Sequence, residues 1–171
     1  MSTRHYPVDV TCVTPANEMT GEDDAETLEL REMLKRAEAY IRGFRWYQPI
    51  EESYLGIGIG GVLALFLFRF VRPINGTDRW LWVMEGDLPS AYFVVDEAAD
   101  PAKALSAYCD LMDEWVLAVR NRQPLAEVFP VNSAATEDNA HLLQTRIEFI
   151  RNKILPECRS SASKGRGDSH E

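Results

Sequence analysis

At 171 residues, with 46% hydrophobic and 10% aromatic side chains, the chain has the apolar material for one domain with its own core, without disulfides or a metal as staples. A formal net charge of −9 sets it against a phosphate backbone and argues against a general nucleic-acid binder. Three cysteines, Cys12, Cys109 and Cys158, are odd in number and form no CxxC pair, which reads as free thiols in a reducing compartment. No basic-then-apolar leader opens the chain. Its longest apolar stretch, residues 55–68, falls short of the roughly 20 residues a spanning helix needs and is broken by glycines. A cytoplasmic protein with no membrane or nucleic-acid partner is expected.

Residues 1–21 show no helical period and read as a flexible N-terminal segment, with a weak alternation of Val8, Val10 and Cys12 as the one hint of an edge strand. Glu22, Asp23, Asp24 and Glu26 then place negative charge where a helix N-terminus favours it. Leu30, Met33, Leu34, Ala37, Ile41 and Phe44 follow at spacings of three and four, predicting a helix over about 25–42 that ends at Gly43. Residues 43–61, with Pro49 and a cluster of glycines, support no assignment. Residues 62–72 are apolar on both alternate faces until Arg69, the pattern of a central strand. Asn75-Gly76 signals a hairpin turn, 79–85 a second strand, GDLP another turn, and 91–96 a third strand. Asp100 and Pro101 open a helix over about 101–122, whose stripe is Leu105, Tyr108, Met112, Trp115 and Val119. Thr136 caps a last helix over about 137–155, stopped by Pro156, and 157–171 reads as a disordered tail. The expected fold class is α+β: a three-stranded antiparallel meander with helices packed on it, in one domain over 22–156.

Motifs with chemical meaning are few. GIGIGG, residues 56–61, matches the dinucleotide pattern G-x-G-x-x-G by letter, but that mechanism needs a strand before and a helix after. A strand follows here, so a bulged entry into a buried strand is the better reading and no cofactor is expected. The NGT acceptor pattern at Asn75 reads as a hairpin turn, and RGD at residues 166–168 as chance. His5, His141 and His170 have no metal-ligand spacing to carboxylates. Cys109, beside Tyr108, reads as a small buried residue. Glu85 and Asp87 flank the corner before GDLP two residues apart, which on an extended chain puts them on one face. With Tyr92 on the next strand they are the candidate catalytic group for acid–base work, against the plainer reading of solvated turn acids.

Charge is unevenly spread. Residues 80–114 hold eight acids, including Asp96, Glu97 and Asp100, against Lys103 alone, while five arginines dominate 42–79. Asp110, Asp113 and Glu114 lie off the apolar stripe of their helix and repel one another along it. They are the candidate partner-binding residues, a docking face for a basic protein, against the reading of mere solvated surface.

The segment WLWVMEGDLPSAYFVVD, residues 80–96, followed by Tyr108 and Trp115-Val116 and preceded by ALFLFRF, resembles a group of small uncharacterised bacterial proteins with a WLWVxxGDLPxAY core. The resemblance spans residues 44–120. It implies a bacterial cytosolic origin and a shared fold, and transfers no catalytic residue. Three functions compete: a non-enzymatic interaction protein, of immunity or inhibitor type, with an acidic face for a basic partner; a small hydrolytic enzyme using Glu85, Asp87 and Tyr92; and a homodimeric subunit packed through Trp80 and Trp82.

Overall fold

A computed structural model describes residues 7–96 and 98–164. The chain divides into two compact units, Met1–Ala104 and Leu105–Glu171. The described elements are α+β, with an antiparallel sheet and α-helices in three continuous runs among the described residues.

The apolar run expected as a central strand is one. Strand β3, Leu63–Phe70, lies third in a five-stranded sheet, β1 (Thr14–Pro15), β2 (Ile50–Ile59), β3, β4 (Trp80–Gly86) and β5 (Ala91–Val94), paired in sequence order. Its two faces are both buried, so both alternate rows had to be apolar. On one face Ala64, Phe66, Phe68 and Phe70 join Leu81 and Val83 of β4 and take the stripe Leu30, Met33, Ala37 and Ile41 of helix α1, Asp24–Arg42. Asp23 caps α1, its carboxylate accepting the Glu26 N–H at 2.8 Å.

The three-stranded meander is thus corrected to five strands. The glycine stretch left unassigned is the far end of β2 and the turn into β3, with a bulge between Leu55 and Ile57. Its glycines serve close packing: a Cβ on Gly58 would lie 2.8 Å from Leu30 Cδ2 of α1. No helix follows the GIGIGG run, which excludes the phosphate-cradling geometry its letters suggest. The segment expected to be flexible also contributes: β1 pairs with β2 through Thr14↔Leu55 and Pro15↔Tyr54, and Val8, Val13 and Met19 are buried. Its weak alternation at residues 8–12 was the wrong period, since Val10–Cys12 is a 3-10 turn capped by Asp9. Asn75 makes the expected turn, its side-chain oxygen accepting the Asp78 N–H at 2.8 Å.

Helix α2, Pro101–Arg120, starts as read: the Asp100 carboxylate accepts the Lys103 N–H at 2.8 Å. In the second unit its Leu105, Tyr108, Met112 and Trp115 are buried. Thr136 caps helix α3, Glu137–Phe149, which does not stop at Pro156. It passes through a π turn, Ile150–Ile154, into α4, Leu155–Lys164, so the expected tail is helical as far as Lys164. A proline inside a helix lacks an N–H and its ring crowds the carbonyl four residues back. Directly upstream the turn is wider, the Leu155 N–H reaching the Ile150 carbonyl five residues back, and the helix continues through Pro156. The RGD tripeptide, Glu97, His5 and His170 lie outside the described residues.

Candidate functional site

Strand β4 alternates so that Leu81, Val83 and Glu85 face α1. Among the described residues Glu85 is the one charged side chain that is buried, 8% exposed. A buried carboxylate needs partners to offset its desolvation. Two side chains supply them: Ser90 Oγ donates to Glu85 Oε2 at 2.9 Å, and Arg36 Nε of α1 lies 3.4 Å from Oε1. One turn beyond Arg36, the Tyr40 hydroxyl donates to the Ser90 carbonyl at 3.5 Å. Burial, then the neighbouring Tyr92 and Glu85, hold the Tyr40 hydroxyl well above the usual phenol range.

Tyr92 belongs to the same neighbourhood, packed in an aromatic group with Phe44 and Trp46 at ring-centroid distances of 4.9 Å each. Asp87 does not share Glu85's environment. Gly86 between them has φ +144°, and a Cβ there would fall 2.3 Å from the Val62 carbonyl oxygen. That glycine ends the strand alternation, leaving Asp87 exposed while Glu85 is buried. Arg36, Tyr40 and Ser90 escaped the sequence reading. Arg36 and Tyr40 stand one helical turn apart beside the stripe residues Met33 and Ala37, which is the signal that would have placed them over the sheet.

The acids of α2 divide. Arg151, inside the π turn, reaches both Asp113 and Asp110 with its guanidinium, at 2.8 Å for Nη2 to Asp110 Oδ1. Asp110 and Asp113 therefore have an internal partner that the helix alone did not reveal. Glu114 is exposed and makes no hydrogen bond or ion pair with any described residue. The α2 N-terminal half also carries Cys109, whose thiol burial pushes up to about 11.

A denser acidic stretch lies in the first unit. Residues 18–32 hold seven acids and one base, Arg31, and all the acids are exposed except the half-buried Glu26. Asp23 caps α1, and the helix dipole favours Asp24 and Glu26. Glu32 pairs with Lys35 at 3.2 Å. Glu18, Glu22, Asp24 and Glu29 have no partner among the described residues. The arginines of 42–79 are not the mirror image of this. Arg69 lies 2.8 Å from Glu51, with its guanidinium 5.8 Å from the Trp80 ring centroid, and Arg79 lies 3.7 Å from the same Glu51. Trp80 and Trp82 are 7% and 0% exposed, so they present no aromatic face to a second copy.

Among the described residues no group of three or more His, Cys, Asp or Glu is arranged to hold a metal ion, and no helix is long and apolar enough to cross a membrane. No family model, curated protein or solved structure matches the chain.

Proposed function

We propose that this chain is a non-enzymatic interaction protein that captures a basic protein partner, in the manner of an immunity protein or inhibitor. The observation that supports the reading is the uncompensated acidic surface: Glu18, Glu22, Asp24 and Glu29 on the first unit, and Glu114 beside the Arg151-tied Asp110 and Asp113 on the second. The helix dipole favours Asp24, but exposed like charges repel, so local stability does not account for the unpaired Glu18, Glu22 and Glu29 around it. A surface of one sign raises the capture rate of a partner of the other. The free thiols at Cys12, Cys109 and Cys158 fit a reducing, cytoplasmic setting. The Glu85 carboxylate favours a structural role, since Ser90 and Arg36 occupy its oxygens under α1.

The test begins with affinity capture from the source cells and identification of the bound protein. Stopped-flow association is then compared at low and high salt for wild type and two neutralised variants. One carries Glu18, Glu22 and Glu29→Gln with Asp24→Asn; the other carries Asp110→Asn, Asp113→Asn and Glu114→Gln. The first should lose about tenfold in on-rate at low salt, and the difference should shrink as salt screens it. Equal rates for both variants and wild type at low salt refute the reading.

A further inference from the structure

The outer face of α3 carries two large apolar side chains in full view of solvent, Leu142 at 58% and Phe149 at 54% exposure. They are seven residues apart, two helical turns, and so lie on one line. Thr145 stands between them, also exposed. Asp138 extends the line one turn toward the N-terminus. At the other end the π turn matters. With roughly 4.4 residues per π turn, four residues fall just short of a full rotation, so Lys153 sits almost directly over Phe149. Asp138 and Lys153 are both exposed and make no ion pair with any described residue.

The line therefore reads acid, Leu, Thr, Phe, base. It is complementary to its own reverse. When two copies lie antiparallel about a two-fold axis at Thr145, Leu142 of each meets Phe149 of the other, and Asp138 of each meets Lys153 of the other. A two-fold interface requires this self-complementarity. We propose that α3 is a homodimerisation face, its occupant the α3 of a second copy in antiparallel register. Charge elsewhere does not oppose it: residues 105–171 hold ten acids and eight bases, so most of the chain's negative excess of −9 does not lie on this unit. From Asp138 to Lys153 the line runs about 22 Å at about 1.5 Å per residue. A single helix pair of that length buries less than a standard interface, so the dimer is a weak one that forms at high protein concentration.

The experiment is sedimentation velocity on the full chain over a concentration series up to about 1 mM, with circular dichroism melts to show that each variant is folded. Wild type should show a concentration-dependent monomer–dimer equilibrium, and Phe149→Ser should weaken it at least about tenfold. Asp138→Lys alone and Lys153→Asp alone should each weaken it about tenfold, because each turns two attractions into two repulsions. A mixture of the two single variants should dimerise again, since each then meets its opposite. Wild type that stays monomeric at about 1 mM overturns the proposal. So does a dimer unmoved by Phe149→Ser, or a mixture that fails to recover.

Discussion

Trp82 is the side chain whose replacement reports most directly on how β2, β4 and the start of α2 fit together in the first unit. It is fully buried, and its indole Nε1 donates to the Ala98 carbonyl at 2.8 Å. Trp82→Phe removes that donor and roughly 40 Å³ of side chain. The cavity costs about 1 kcal/mol at about 24 cal/mol per Å³, and the orphaned buried carbonyl costs a further 1–2 kcal/mol or so. Urea denaturation followed by circular dichroism should show a loss of about 2–3 kcal/mol, with a fall in melting temperature of about 5–10 °C. The geometry makes a sharper claim about Gly56, where a Cβ would lie 2.9 Å from Trp82 Cζ3. Gly56→Ala should cost about 1–3 kcal/mol by overpacking. Phe lacks the outer six-membered ring that carries Cζ3, so the double variant should cost at least about 1 kcal/mol less than the sum of the two singles. Strict additivity refutes the packing argument, and a loss below about 1 kcal/mol for Trp82→Phe refutes the burial argument.

Met19 lies in the segment that composition alone marks as flexible, yet it is 2% exposed in the core beneath α1. Met19→Ala should therefore cost about 2–4 kcal/mol in the same assay, and a loss under about 0.5 kcal/mol would restore the flexible reading. Cys109 makes a pH prediction. Its folded value of about 11 lies above the unfolded 9.0, so its contribution is fully present below pH 9 and is lost as pH rises through 11. Stability should fall by on the order of 2–3 kcal/mol across that window, and Cys109→Ala should flatten the fall. An unchanged slope in the variant assigns the loss to other groups.

Local chemistry determined much of this protein by itself. The helix starts at Asp100 and Thr136 were legible because a cap acts within three residues of itself, and the start of α1 from the acids around Asp23, though not which of them caps it. The central place of β3 was legible because burial on two faces demands an unbroken apolar row. The α1 stripe of Leu30, Met33, Ala37 and Ile41 was legible from its period. The rest depended on partners distant in sequence. Gly56 and Gly58 look like a breaker until Trp82 and Leu30 are seen to need the space. Thr14 and Pro15 carry no strand signal of their own and pair because β2 offers an edge. Pro156 stops a helix on local grounds, yet the chain runs through a π turn into a further helix that contains it. The candidate residues followed the same division. Periodicity put Asp110 and Asp113 outside the α2 stripe, but not Arg151, 38 residues beyond Asp113, against them. Alternation put Glu85 and Asp87 on one face, and the positive φ of Gly86 separated them. Caps and periods are set by neighbours along the chain, whereas the partner of a buried or bridging charge is set by which elements pack together, and only the tertiary structure decides that.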